Sequence, residues 1–269
     1  ALTLLGMVIG VFAIIVSVTA VSVIDVYFKE TLQFFGSSTV SISKTSFIQT
    51  GNRDRSLRNR PNITFEQVER LEGMMQIPVT ISPLNGFDIG KVVFQDRETE
   101  GNVQVLGSDE NMLANFSYEV DTGRFFTSDD VQYARPVCVL GSNLVGILFP
   151  NENPIKKIVK ANGRRCEVIG TLKEKGNIFG FSQDDRIFIP ITRGFVVYGG
   201  TNRNIDNVSV RVHNPVMINA AIDELTGRLR VIRRVEPGDE NNFEISTNNS
   251  LQSVLDAFTV NSSFLYVFA

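Results

Sequence analysis

From Leu2 to Ile24 the chain carries no charged side chain. A helix over those positions would be about 34 Å long at roughly 1.5 Å per residue, enough for a hydrocarbon core of about 30 Å. The stretch is therefore expected to form a transmembrane helix, residues 1–25, in contact with membrane lipid. A secretory signal peptide is the competing reading, but it would have a shorter apolar core and a small-residue cleavage site. Here the apolar run passes into Asp25-Val-Tyr-Phe-Lys-Glu30 without such a break. A helix buried in a water-soluble core is seldom uncharged over this length. Gly6 and Gly10 stand four apart, the spacing that lets membrane helices pack closely.

Every charged residue lies at or after Asp25, so the rest of the chain reads as a soluble body of mixed charge. Its formal net charge of −3 argues against a nucleic-acid partner, which selects a basic face. Arg53, Arg55, Arg58 and Arg60 share a polar stretch with Asp54 and read as a solvated loop. With no Trp and 20 Phe, the core is expected to be packed from Phe and aliphatic side chains. Cys138 and Cys166 both sit in strand-like surroundings. They are either two buried thiols or, if their strands pair in an oxidising compartment, a disulfide. His213, the single histidine, precedes Asn214-Pro215 and reads as a surface turn residue, and a zinc site would need four ligands.

Chemistry is sparse. Asp129-Asp130 and Asp184-Asp185 are adjacent pairs. In a strand their side chains would point to opposite faces, unlike paired acid–base catalysts. No Gly-x-x-x-x-Gly-Lys-Ser/Thr phosphate loop is present. The chain is expected to be non-enzymatic and to carry no cofactor of its own.

After the apolar stretch, Tyr27, Phe28, Leu32 and Phe35 continue a helical pattern that Gly36 ends, giving a stalk helix over 26–36. Thr39 to Ser43 alternates as a strand does. Thr64-Phe-Glu-Gln67 fits a capping box and opens a helix with Phe65, Val68, Leu71 and Met75 on one face. Val79 to Ser82 then reads as a strand, Pro83-Leu-Asn-Gly86 as a turn and Lys91 to Gln95 as a further strand. The far end repeats this order: a strand from Asn207, a helix from Pro215 with Ile218, Ala221, Ile222, Leu225 and Leu229 on one face, and a strand over 242–247. Each flank is thus a strand–helix–strand unit. Between them lie five plausible strands (102–106, 136–140, 157–161, 166–170 and 185–190) and short helices at 111–116, 128–133 and 142–149. Asn162-Gly163 is a hairpin signal.

From Asn249 the residues Leu251, Val254, Leu255 and Phe258 share one helical face, and no charge follows Asp256. This end reads as the start of a second membrane helix. The fold class is therefore α+β: a membrane helix, a domain of two βαβ units with an inserted small α+β subdomain, and the beginning of another membrane helix. The boundaries read as 37–110 for the first part of the βαβ subdomain, 111–203 for the insertion, 204–248 for the second part and 249–269 for the returning stalk.

These residues, in this order, resemble the MacB-type permeases of the ABC transporter superfamily, the macrolide-exporter and FtsX-like group. The first span of that group has a Leu-Thr-x-Leu-Gly-Ile-x-Ile-Gly-Val pattern, matched by Leu2 to Val11. Its core segments are matched by Gly123-Arg-Phe-Phe-Thr127, Val139-Leu-Gly141, Leu148-Phe149, Pro154-Ile-Lys-Lys157, Asn162-Gly163 and Val168-Ile-Gly170. The chain departs from the pattern at Lys156, where the family usually has Gly.

The resemblance implies a periplasmic, porter-like domain on an inner-membrane transport subunit that works as a homodimer or heterodimer. It implies that ATP and Mg belong to an ABC ATPase elsewhere, whose closure is passed through the membrane helices. A periplasmic adaptor and an outer-membrane channel are the expected further partners. The substrate would be a drug, a peptide or a lipid-linked molecule. Lipoprotein-releasing permeases and FtsX-like regulators of cell-wall hydrolases are the alternatives. Mechanical coupling is then expected to fall on the stalk residues Tyr27, Phe28, Leu32, Phe35, Leu251, Val254, Leu255 and Phe258. Gly176-Asn-Ile-Phe-Gly-Phe181 offers Ile178, Phe179 and Phe181 as a partner-facing or exit loop, or as a loop tucked onto its own core.

Overall fold

The computed structural model describes residues 38–45, 59–178, 181–199 and 203–247, with positions 6, 7, 11, 12, 15, 16 and 19 of the first segment. Those isolated positions are helical, and Met7, Val11, Phe12, Ile15 and Val16 are exposed. Among the described residues no helix is long and apolar enough to cross a membrane.

The chain runs through β1 (Thr39–Ser43), β2 (Ile63–Thr64), α1 (Phe65–Met74), β3 (Val79–Gly90), β4 (Val92–Phe94), β5 (Arg97–Glu98) and β6 (Val103–Ser108). It continues through α2 (Met112–Phe116), β7 (Val120–Gly123), α3 (Ser128–Gln132), β8 (Val137–Leu140), α4 (Ser142–Leu148), β9 (Ile158–Ala161) and β10 (Arg164–Leu172). Then come β11 (Asn177–Ile178), β12 (Phe181–Ser182), β13 (Arg186–Pro190), α5 (Ile191–Val197), β14 (Asn204–Ile205), β15 (Asn207–Val212), α6 (Ile218–Ile232) and β16 (Glu244–Thr247).

Several starts and stops follow from local chemistry. Thr64 accepts the Gln67 N–H while the Gln67 side chain accepts the Thr64 N–H, so both capping-box bonds are made. Asn162 and Gly163 take φ of 46° and 78°, the left-handed pair that a two-residue turn between β9 and β10 requires. Pro215 opens a 3-10 turn (Pro215–Met217) and the α-helix proper begins at Ile218.

One sheet runs in the order β16-β1-β15-β3-β6-β13-β8-β10-β9-β4-β5, with β7 also paired to β10. The two strand–helix–strand units interleave in it. β15 lies between β1 and β3, and β1 lies between β15 and β16. Each crossover helix therefore passes over a strand of the other unit, the split-βαβ arrangement. On this lobe Val40, Val210 and Ile81 stand opposite one another, as do Ile42 and Val208. They share an apolar core with Val68 and Leu71 of α1 and Ala221, Leu225 and Leu229 of α6. One position along, the pairing aligns Ser246, Ser41, Ser209 and Ser82 across four strands, and strand alternation sends this row to the other face. Ser209 and Ser82 are buried there.

β3 joins the two halves. Residues 79–84 pair with β15 and residues 84–90 with β6. β4 and β6, which precede residue 111, pair with strands of the central segment. A second core lies between these strands and α4, built from Val105, Cys138, Leu140, Leu144, Leu148, Val168 and Ile187 among others.

The turn expected at Pro83-Leu-Asn-Gly86 is not formed: β3 runs straight through it. Ser108 Oγ donates to the Pro83 carbonyl, and Asp206 accepts the Gly86 N–H at 2.8 Å. The pairing absorbs the irregularity as a bulge between Gly86 and Asp88. Cys138 and Cys166 are buried free thiols. Cys138 stands opposite Val168, two positions from Cys166. The two cysteine side chains are neighbours across this parallel strand pair: burial first, and then the hydrogen bond to Cys166, raise the pKa of the Cys138 thiol.

Candidate functional site

Both exits from the domain lie on one strand pair. β1 and β16 are antiparallel, with Val40 opposite Thr247 and Ser43 opposite Glu244. The start of β1 and the end of β16 are therefore neighbours, and residues 38 and 247 lie at the same end of the sheet. Val40 and Ile42 of β1 are almost completely buried in the apolar core of α1 and α6, and β16 flanks β1 as the half-buried edge strand.

The opposite end of the pair is tied down by Arg233, the residue that caps α6. Arg233 is 8% exposed. It donates to Asn242 Oδ1 at 2.6 Å, Pro61 O at 2.7 Å, Gln67 Oε1 at 2.9 Å, and Asn62 O and Asn242 O at 3.2 Å. Burial, and next Arg60, lower its pKa from the ordinary value. One cation thus joins the end of α6, the capping box of α1 and the approach to β16. Arg60 adds an ion pair to Glu244 at 3.7 Å. Glu224 on α6 accepts the Gln76 and Ile77 N–H groups past the end of α1. These bonds tie α1, α6, β1 and β16 to one another.

The expected stalk residues Tyr27, Phe28, Leu32, Phe35, Leu251, Val254, Leu255 and Phe258 lie outside the described residues, as do Gly10 and Phe179. Gly6 is helical, and a Cβ there would meet nothing within 4 Å. Ile178 and Phe181 stand opposite each other in the β11–β12 hairpin. The base of that hairpin is clamped: Asp184 accepts the Lys175 and Gly176 N–H groups at 2.9 and 2.8 Å, and Gln183 N–H donates to Gly176 O. Lys175 Nζ lies 3.9 Å from the centre of the Tyr118 ring and donates to Phe116 O. Arg186 donates to the Tyr118 hydroxyl at 2.9 Å. Sequence reasoning missed Arg233 and this clamp, because an Arg ending a helix and an Asp-Asp turn both read as ordinary solvated residues. Among the described residues no group of three or more His, Cys, Asp or Glu is placed to hold a metal ion.

The Gly123-Arg-Phe-Phe-Thr127 segment has a task for each residue. Gly123 has φ +81° and passes so close to β10 that a Cβ would lie 2.3 Å from Ile169 O. Phe125 and Phe126 are buried against each other with centroids 4.4 Å apart. Thr127 caps α3 in a second capping box, with Asp130. Asp130 is fully buried and meets Arg124 at 2.6 Å and Arg135 at 3.2 Å. Burial would raise its pKa, but the Arg124 and Thr127 bonds outweigh it and hold the carboxyl at about 2. Lys156, the departure from the family pattern, has φ 65°. The turn keeps the left-handed shape that glycine adopts freely, with Lys156 N–H donating to Val168 O at 2.8 Å.

Comparison with known proteins agrees with this architecture. The family described as MacB-like periplasmic core domain matches residues 1–228. A macrolide export ATP-binding/permease protein MacB of Rhodopirellula baltica is 30% identical over 194 residues, covering 71% of this chain and 27% of that protein. Its counterpart in Chlorobium luteolum is 26% identical over 267 residues, covering 98% of this chain and 39% of that protein. The chain thus spans well under half the length of these relatives. The crystal structure of the periplasmic region of MacB from Actinobacillus actinomycetemcomitans superposes with a TM-score of 0.68 at 21% identity, covering 85% of this chain and 97% of that one.

Proposed function

This chain belongs to the family of MacB-like periplasmic core domains, and from that membership we propose that it is the moving part of an ABC exporter. The apolar stretch Leu2 to Ile24 is its first membrane helix, and the segment after Leu251 returns to the bilayer. An ABC ATPase, separate or in a further domain, binds ATP and Mg. Its closure is carried up the two stalks, and the domain rearranges on the extracytoplasmic side of the inner membrane. The substrate is a drug, a peptide or a lipid-linked molecule. The permease works as a pair, with a periplasmic adaptor and an outer-membrane channel as further partners. The exposed helical side chains of Met7, Val11, Phe12, Ile15 and Val16 support a lipid-facing segment.

The observation that carries this reading is the register of β1 and β16, with Val40 beside Thr247. A displacement of either stalk enters one hydrogen-bonded strand pair backed by the core of α1 and α6. A stiff pair transmits such a displacement, whereas a flexible linker would absorb it. The test is the full-length protein with its ATPase in membranes. Replacing Leu251 and Leu255 by Gly should leave ATP hydrolysis in place and abolish export. Undiminished export would overturn the proposal. Co-purification from membranes identifies the partners: an adaptor fits export, and a cell-wall hydrolase in its place would favour the regulatory reading.

A further inference from the structure

One end of the interleaved lobe is apolar where it meets solvent. Val212, the last residue of β15, stands opposite Val79, the first of β3. His213 N–H donates to Pro78 O at 3.2 Å, so the turn after β15 lies against the turn before β3. Residues 74–79 and 213–218 contain no Asp, Glu, Lys or Arg. Val216 is 89% exposed and Met217 36%. Pro78 and Pro215 are exposed as well, and Ile77 and Val79 are half-buried. The turn is held in shape from within: Asn214 Oδ1 accepts the Val216 N–H at 3.1 Å, and Asn214 O accepts the Met217 N–H at 2.9 Å. Exposed apolar side chains elsewhere have charged company. Ile158 stands opposite Glu167, and Val231 shares a groove with Arg230 and Arg234. A single exposed apolar residue is ordinary, whereas a contiguous uncharged rim marks a contact surface.

The chain enters the domain at this rim. Ser38 O accepts the Val212 N–H at 2.9 Å, and β1 begins at Thr39 opposite Arg211. Phe34 and Phe35 precede Ser38 by four and three residues, so Phe35 lies within about 11 Å of it along the chain. The rim is on the β15 side of β1, and the departing strand β16 is on the other, which makes the arriving segment the nearer occupant. Twelve residues separate Asp25 from Ser38, about 18 Å as a helix. That length sets the rim above a bilayer rather than in it.

We propose that this rim is the seat of the arriving stalk, with Phe34 and Phe35 packed against Val216 and Met217. The seat rests on the reading of residues 1–36 as membrane helix and stalk. Tethering brings the two aromatic rings to the rim at high effective concentration, and burial of both surfaces is favourable. Movement of the stalk then loads the turn that opens α6 as well as β1.

Disulfide trapping in the full-length protein with its ATPase in membranes tests the seat. Phe35→Cys with Val216→Cys should cross-link within one chain at about tenfold the yield of Phe35→Cys with Thr247→Cys. Thr247 is tethered near Ser38 on the other side of β1, so proximity alone would serve both pairs. The native Cys138 and Cys166 are buried and stay out of the reaction. With Phe35→Cys alone, a membrane-impermeant maleimide should react about tenfold faster once Val216→Asp and Met217→Asp are added, because the apolar contact is lost. Equal yields for the two pairs, cross-linking of Val216→Cys chiefly to a second copy, quenching of a fluorophore on Val216→Cys by brominated lipid, or a maleimide rate unmoved by the aspartates would each overturn the seat. The cross-link is read without reference to export. Undiminished export on replacing Leu251 and Leu255 by Gly would instead sink the coupling proposed above, whatever the yields.

Discussion

β15 and β3 carry a different kind of helix on each face. On one side α6, fifteen residues long, presses Ala221, Leu225 and Leu229 onto Val208, Val210 and Ile81. On the other, α2 meets the Thr80 and Ser209 carbonyls and Arg211 through hydrogen bonds and seats Met112, 1% exposed, in the apolar core. The same backbone supports both. Apolar burial makes the α6 contact strong and non-directional. The α2 contact adds directional hydrogen bonds, each of modest net gain against water, to the burial of Met112. A sheet can therefore seat one helix by apolar burial and another by burial and hydrogen bonds together, by the choice of side chain at alternate positions.

The widest gap between the two faces should appear on truncation. Leu225→Ala should lower the unfolding free energy by about 3 kcal/mol in urea titration, since Leu225 is fully buried. A loss under about 1 kcal/mol would mean that α6 is not the anchor. Asp130→Ala, which removes the reciprocal half of the α3 capping box and leaves Arg124 and Arg135 without their carboxylate, should cost about 2 kcal/mol. Because its folded pKa is depressed to about 2 from 3.8, that contribution is complete above pH 3.8 and lost as pH falls through about 2. The mutant should thus differ from the parent at neutral pH and converge with it in acid. Thr64→Ala, at the head of α1 on the apolar side, should cost about 1 kcal/mol. Asn115→Ala, on the serine side, should change global stability by less than about 1 kcal/mol while speeding exchange of 112–117. An equal loss for Asn115→Ala and Leu225→Ala would erase the distinction.

Local chemistry was readable in the sequence wherever one residue type settles one backbone shape. Thr64 with Gln67 marked α1, Asn162-Gly163 marked the β9–β10 turn, and the apolar stripe from Ile218 marked α6. Alternation identified the strands but not their partners, because β15 pairs with β1 and β3 through contacts more than a hundred residues apart. The straight run of β3 through Pro83 and Gly86 depended on Ser108 and Asp206, which no local pattern reveals. Arg233 was hidden for the same reason: its partners Pro61, Asn62, Gln67 and Asn242 come from separate segments. The serine row was in plain view as single residues, and only the register made it a row.

Strand partners facing each other in an antiparallel pair lie about 5 Å apart, and Val40 faces Thr247 in this way. The first and last strands of the domain thus begin and end almost at one point. A body with that shape is a cassette. It fits between any two helices that emerge side by side, leaves without stretching either, and lends itself to transplantation or circular permutation.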